Sequence, residues 1–544
     1  MAFSMAALSG KCNPLFGLPR NEFAGKFTGD NFSTAHKLLW KIDEKDFQDL
    51  KSEAEFDLIV VGGGLSGLSA GYLSNAERVL ILEQAASFGG NAKSQTWGDV
   101  RYSIGSAYIT ELSNTDPIYK FYISLGLDKH WKKIGEEDEI YFHPKGVYRK
   151  LQGIDDVQLK KLPEIMKKYT GSLFPELPFS GNSILTRKVF ESLDDFSLID
   201  ILRREFNANL SPDLLSYLQA YARASFASRA EDLSGYAMLN FLSPEFETSI
   251  YCYPGGNSFM ARVMEEKLIE RKYNLKVSNP VLSVKNTSEG VEVISYDISN
   301  HRYAKYKAKK AIIASQKFVA KRIVKDISID QRNAMDSLKY KTYFVANILL
   351  KNRPKQSWYD SYFLTSNDNW ASDVVMADYP ISPEKRKEYS VLTAYMPYTS
   401  DTKRSEVLSK SASPELEKKY FTELSDMITT EISQLQDKYG FAAKDIYDIN
   451  LTRWGHALIF SGKGMFSRNI FEKASASVDN IHFANQDRIG TPSVESAFTA
   501  SMLALKEAGM LQKAFTTDEH GWVLLQSFRT SLYDSSWRSM EMVM

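Results

Sequence analysis

Cysteine is nearly absent: the 544-residue chain holds two, Cys12 and Cys252. No Cys-x-x-Cys occurs, so a disulfide framework, a cysteine zinc site and covalent c-type haem all lack their residues. Histidine is sparse too, seven in all and scattered, without His-Glu-x-x-His, and no metal site is expected. Neither sign of charge is in excess, with 67 Lys plus Arg against 67 Asp plus Glu. The basic surplus of a nucleic-acid binder is therefore missing, and no nucleic-acid partner is expected. No apolar run reaches the 18 or so residues of a transmembrane helix. Internal repeats and low-complexity tracts are missing as well. What is present is the ordinary globular mix, 43% apolar and 25% charged, in a length that suits about two to four domains. Aromatic residues make up 12%, including 29 Tyr and 31 Phe, material for a ring-lined cavity or a plain core.

The N-terminus reads FSMAAL (3–8), then Ser9 and Gly10. Apolar then small residues resemble the end of a secretory signal, but the positive leading region and the twin arginine are missing. A disordered start and a start codon placed late in an exported protein fit equally. The expectation is a soluble protein, exported or periplasmic if a signal lies upstream of residue 1 and cytoplasmic otherwise.

The first strong structural signal is FDLIVV (56–61), a continuous β-branched run suited to a parallel strand buried on both faces. Gly62, Gly63 and Gly64 break it, LSGLSAGYL reads as a helix, and RVLILE (78–83) as a second strand. Together they form a βαβ unit. Residues 113–250 look largely helical. After Tyr251 come a Pro-Gly-Gly turn, a helix and alternating short strands (VLSVKN, GVEVISYD, RYAKYKA, AIIAS) that suggest a β-meander. The lysines of KYKAKK (305–310) alternate along a predicted strand and read as its solvated face. Further strands are expected at 342–352, 391–398 and 480–485, and helices at 414–436 and 492–509. Pro492 and Gly509 bound the last helix.

Gly62-x-Gly64-x-x-Gly67 lies between predicted strand and helix. Gly62 permits the tight turn, Gly64 lets backbone approach a pyrophosphate, and Gly67 lets helix pack on sheet. The phosphates would rest on the free amides of the helix start, at Leu65 and Ser66. Glu83, with Gln84 beside it, ends the second strand 16 residues after Gly67. A carboxylate there accepts hydrogen bonds from a ribose and repels a 2′-phosphate. Gly89 and Gly90 follow, with Asn91, Lys93, Gly105 and Ser106 beyond.

This order of glycine turn, Glu and Gly-Gly resembles the FAD site of the flavin amine oxidase superfamily. NIHFANQD (480–487), Gly490 and the helix from Pro492 resemble that superfamily's closing FAD segment. Within it the chain most resembles bacterial spermidine-dehydrogenase-like proteins. The matching stretches are GDNFSTAHKLL (29–39), FGGNAKS (88–94), YPGGNSFMARVMEEKL (253–268), AIIASQKFVAKRI (311–323), TYFVANILLKN (342–352), TRWGHAL (452–458) and HFANQD (482–487). The resemblance implies an α/β fold. A Rossmann-like FAD-binding domain of glutathione-reductase type, with a β-meander, would be intertwined with an α+β substrate domain. The expected boundaries are an arm at 1–54, FAD-binding segments at 55–112, 251–335 and 440–512, substrate segments at 113–250 and 336–439, and a tail at 513–544.

It also implies an FAD enzyme that oxidises a C–N bond of an amine or polyamine by hydride transfer to flavin N5. Its partners would be a small amine and an electron acceptor: oxygen, a quinone or a redox protein. Asp487 matches the acidic residue near the ribityl chain, and Thr491 and Val494 stand at the closing helix start. Val281 matches the position whose backbone meets the adenine, or is an ordinary strand valine. Trp454 and His456 lie where the subgroup places residues on the substrate face, or serve the core. The sequence departs from the pattern twice. Asn485 stands where a Gly is usual. The lysine that many amine oxidases carry on the strand 342–352 is replaced by Val345 or Ala346, with Tyr343 and Asn347 the nearby polar candidates. That loss favours an acceptor other than oxygen. A polyamine's distal charge would want a carboxylate, for which Glu245, Glu247 and Glu495 are candidates. Two alternatives stand: a desaturase or oxidase of a hydrophobic carotenoid- or porphyrinogen-type substrate, and a non-catalytic FAD-binding scaffold.

Overall fold

The structure, a computed structural model, describes residues 21–30, 38–39, 44–47, 49–114, 116–135, 138–170, 174, 184–246, 248–356, 358–364, 371–401, 405–406, 409–410, 413–433 and 435–515. The signal-like start, Cys12, Glu247 and nearly all of the tail lie outside them.

The strand Ser52–Val61 has parallel neighbours on both sides, Val79–Leu82 and Arg302–Ile313. Its apolar end Leu58–Val61 is buried on both faces, as its unbroken hydrophobicity requires. Gly62, at φ +107°, turns the chain into the helix Leu65–Leu73, all nine residues of which are buried. A Cβ on Gly67 would stand 1.8 Å from the Gly62 carbonyl oxygen, so helix and turn meet at a distance that only glycine allows.

The parallel sheet is completed by Asn274–Lys276 at one edge and Ile481–Phe483 beside Arg302–Ile313. The meander Val281–Thr287, Gly290–Asp297 and Arg302–Ile313 is antiparallel. RYAKYKA and AIIAS, expected as two strands, are one. Its first half closes the meander and its last residues, Ala311–Ile313, lie between Ser52–Val61 and Ile481–Phe483. Of its lysines, Lys309 faces solvent and pairs with Asp57 at 2.8 Å, whereas Lys305 is largely covered and pairs with Glu292 at 3.4 Å.

A second sheet of eight strands runs in the order Phe27–Gly29, Ile446–Ile459, Tyr340–Leu350, Ser390–Tyr398, Asp373–Met376, Asp360–Phe363, Glu139–His143, Gly146–Tyr148. Its central strands Tyr340–Leu350 and Ser390–Tyr398 are buried throughout. The strand Ile446–Ile459, expected among the FAD-binding segments, pairs with Tyr340–Leu350 in the second sheet. The arm contributes a strand to each sheet, Phe27–Gly29 to this one and the start of Ser52–Val61 to the other. Residues 113–250 hold the expected helices but also the strands Lys132–Ile134, Glu139–His143 and Gly146–Tyr148. These pair with partners more than a hundred residues away or at a sheet edge, which local periodicity does not reveal.

The helix Pro212–Phe226 lies against the strand Ser390–Tyr398. Ser211 caps it by accepting from the amide of Leu214, with Pro212 in the first turn. Asp213 bonds His143 at 3.0 Å and so ties the helix start to the strand Glu139–His143. No described helix is long and apolar enough to cross a membrane.

Gly67→Ala drives a methyl into the Gly62 carbonyl, and relief requires opening the glycine turn. A destabilisation of about 2 kcal/mol or more is expected in denaturant unfolding. Wild-type stability in that variant would contradict the packing.

Candidate active site

A cavity of about 900 Å³ extends from the glycine turn into the second sheet. Gly62–Ser66, Glu83, Gln84 and Val281 line its first end. Tyr343, Val345, Asp373, Tyr395 and Trp454 line its second, with Gly89–Lys93, Gly105, Ser106 and Gln316 between.

The first end suits a dinucleotide. A Cβ on Gly64 would point into the cavity, with Gly90 Cα at 3.6 Å as its nearest neighbour. The helix that follows has no side-chain cap, so its first amides keep their donors for a phosphate. Glu83 accepts from the amides of Gly63 at 2.6 Å and Ala85 at 2.7 Å, which leaves lone pairs for a ribose. Burial raises its pKa, opposed by those bonds and by the nearby charge of Lys93. Burial lowers that of Lys93, opposed by Glu83 and Asp30. Gly67 does not reach the cavity; it serves the packing described above. The glycine cradle, free amides and ribose-side carboxylate fit FAD.

The closing segment reaches the cavity through Asn485, Gln486, Thr491 and Val494. Asn485 takes φ +77° and ψ 149°, a region natural to glycine, so the chain follows the glycine path at a cost in strain. Its amide donates to Ser66 Oγ at 2.8 Å and its side chain accepts from the amide of Asp487. Asp487 itself does not line the cavity. Its carboxylate turns inward and accepts from the Tyr340 hydroxyl at 2.6 Å and the Lys317 amide at 2.9 Å. Through this one oxygen it braces the closing segment, while its other carboxylate oxygen is buried with no hydrogen-bond partner. Lys317, fully buried, donates to the Ala484 carbonyl, and burial lowers its pKa to about 8. The helix Val494–Glu507 is capped by Ser493. His482 is buried beside Ser477, away from the cavity.

The middle of the cavity is shaped by an irregularity in the strand Ile446–Ile459. Gly455, His456 and Ala457 stand opposite Thr342 alone, a bulge that turns Trp454 and His456 toward the cavity. The Trp454 indole donates to the Ile104 carbonyl at 2.6 Å, and the His456 ring stacks on Phe318 at 4.3 Å. Asp30, which the sequence reading did not single out, accepts from the Gly455 amide at 2.8 Å and lines the same region.

At the second end, Tyr343 lines the cavity and its hydroxyl donates to the Ala224 carbonyl. Asn347 does not: it is fully buried and accepts from Thr393 at 2.7 Å. Val345 opens onto the cavity where the resemblance places a lysine. Asp373 lines the cavity from the same sheet face, and Tyr221 and Glu245 line it from outside that sheet. Glu245 is exposed and lines the chamber, and Tyr221 donates to it at 3.2 Å. Burial raises Glu245 to about 7, and burial likewise raises Asp373 to about 7 against the pull of Ser372 and Arg223. Glu495 also lines the cavity but accepts from the Thr110 amide. Asp373 and Tyr395 escaped the sequence reading. The available signal was an acid inside the otherwise apolar run DVVM.

The profile described as flavin containing amine oxidoreductase matches residues 65–504. The protein named oxidoreductase PigB, from Serratia sp., is 24% identical over 516 residues, 82% of this chain and 74% of its own. Wild-type putrescine oxidase bound to putrescine superposes with a TM-score of 0.62 at 15% identity, over 83% of this chain and 98% of that one. Cyclohexylamine oxidase from Brevibacterium oxydans gives 0.59 at 16%, over 84% and 99%.

Gly64→Val places its bulk in the cavity and little in the protein. The variant should fold normally yet retain no flavin absorbance after purification, whereas stoichiometric flavin would contradict the cradle. Glu245 binds its proton more tightly folded than unfolded, since burial raises it from 4.5 to about 7. Its contribution to stability is therefore full below pH 4.5 and lost as pH rises through about 7. Urea midpoints should fall across that window, and Glu245→Gln should make the fall smaller.

Proposed function

For a chain that belongs to the flavin-containing amine oxidoreductase family and is an FAD-dependent enzyme, we propose oxidation of a C–N bond in an amine that carries a second cationic nitrogen, a diamine or polyamine. The observation that carries this reading is the pair of carboxylates, Glu245 and Asp373, at the far end of the ring-lined chamber. An ammonium seated there satisfies both. A carotenoid would cover them without offering a partner, and a porphyrinogen, itself a carboxylic acid, brings no positive charge to them. Putrescine, bound in one structural relative, is itself a diamine. The motif likeness to spermidine-dehydrogenase-like proteins points the same way.

Gly62, Gly64, Leu65 and Ser66 would hold the pyrophosphate of FAD, Glu83 and Gln84 the ribose, and Val281 the adenine. Gly89–Lys93, Gly105, Ser106, Thr491 and Val494 would flank the rest. Bound FAD supplies the two-electron acceptor for the carbon beside the reacting nitrogen. Trp454, Tyr343 and Tyr395 form the walls near that nitrogen. Such surroundings disfavour its charged form and so favour the neutral amine that oxidation needs. Glu245 and Asp373 hold the remote charge and set the distance at which the reacting carbon stops. His456, stacked on Phe318, orients one wall. Val345 brings no cation to the cavity, which supports a quinone or redox protein over oxygen as the final acceptor.

The purified protein should be yellow, and α,ω-diamines should bleach it anaerobically faster than monoamines of equal length. Glu245→Gln should raise KM for a diamine about tenfold or more, equivalent to at least about 1.4 kcal/mol, and for a monoamine about twofold at most. Bleaching by a lipid or porphyrinogen, with none by amines, would overturn the reading.

A further inference from the structure

Backbone register gathers acids on one face of the eight-stranded sheet. Glu139 stands opposite Asp360, and Tyr362 opposite Asp373 on the next pair. Asp373 in turn stands opposite Tyr395. Paired residues share a face and alternate residues return to it, so Glu139, Asp360 and Asp373 project from the same side. Asp373 lines the chamber, and Glu245 approaches from the turn Ser243–Phe246 across it. Arg223, on the helix Pro212–Phe226, contributes positive charge to Asp373. The remaining titratable groups that feel Asp360 or Asp373 are the buried tyrosines 108, 343, 359, 362, 395 and 439. Burial raises the pKa of each of them, which keeps them neutral.

Asp360 is fully buried. One carboxyl oxygen accepts from the Ser361 amide at 2.6 Å, and the other has no hydrogen-bond partner. An ionised carboxylate in that setting, beside Asp373 and Glu139, is costly, and neighbouring acids in one site do not all ionise together. Burial first, then the charges of Asp373 and Glu139, push Asp360 well above the usual range.

We infer that Asp360 and Asp373 share one proton when no cation is bound, and that this proton leaves to solvent as a cationic nitrogen seats beside Asp373. The inference rests on the amine reading above. In the exchange one carboxyl O–H bond breaks, its proton passes to water, and the charge of the nitrogen seated beside Asp373 takes its place. Affinity for a dication then rises with pH across the range in which the pair titrates, by up to about tenfold per unit for one proton. The pair thus selects for charge and acts as a positioning device for the remote nitrogen.

The test uses the FAD-loaded enzyme and 1,4-diguanidinobutane, a dication that keeps its protons and has no amine to oxidise. Calorimetry at pH 6.5 in two buffers of different ionisation heat counts the protons released, and competition with diamine bleaching locates the site. Wild type should release about one proton or more per ligand, and its affinity should rise from pH 6 to 8. Asp373→Asn should lose about one of those protons, whereas Glu245→Gln should still release one. Tight binding without proton release, or release abolished by Glu245→Gln alone, overturns the inference. The wild-type pH dependence stands even if Asp373→Asn does not fold. A protein bleached by diamines that does not bind the diguanidine overturns this inference only. One neither bleached nor bound overturns the amine reading as well.

Discussion

A short stretch of irregular backbone, Gly455–Ala457, joins the second sheet to the cofactor side. Four separate parts of the chain grip it: Asp30 takes the Gly455 amide, Thr342 the Gly455 carbonyl, Gln316 the His456 carbonyl and Asn91 the Ala457 carbonyl. A bulge leaves backbone groups without ladder partners, and buried ones must find others. Here the partners come from the arm, from the second sheet, from the loop after Arg302–Ile313 and from the Gly-Gly turn. The unmet needs of three residues therefore fix the cofactor end against the substrate end. Trp454 and His456 face the cavity because of it.

The chamber beyond that joint sets apolar rings beside acids. Tyr343, Tyr395 and Tyr362 project from the same sheet face as Asp373. A wall of this kind raises the cost of any charge, and so raises the pKa of the acids set in it. The overall balance of 67 basic and 67 acidic residues conceals this local excess. Zero net charge leaves long-range steering weak, and recognition of a cation falls to contacts made inside the cavity.

The cofactor end was legible in the sequence because its chemistry is local. Gly62, Gly64 and Gly67 act within six residues, and Glu83 follows along one βαβ unit. Asn91, Lys93 and Thr491 line the cavity. Asp487 turns inward because Tyr340 and the Lys317 amide, distant in sequence, claim its carboxylate. Asn347 is taken by Thr393 on the neighbouring strand. The acids of the substrate end were harder to see. Glu245 was one candidate among three, and Asp373 was none, because its place on the chamber floor depends on the register of strands Asp360–Phe363, Asp373–Met376 and Ser390–Tyr398. The same holds for Ile446–Ile459, whose sheet membership no local pattern reveals. Asn485 was legible as a departure from glycine, and the backbone resolves it by taking the glycine conformation regardless.

The strand Ile481–Phe483 and the turn at Asn485 are among the last described parts of the chain to be made, yet they close the site opened by the first glycine turn. Ser66 receives the amide of Asn485 from 419 residues further on. At about 5–20 residues per second, the ribosome takes roughly 20–80 s to cover that stretch. During that interval the parallel sheet lacks its outer strand beside Ala311–Ile313, and the cradle has only one wall. Closure of the cofactor site is thereby tied to the arrival of this late segment, and a nascent chain must keep that sheet edge from other partners until Ile481–Phe483 arrives.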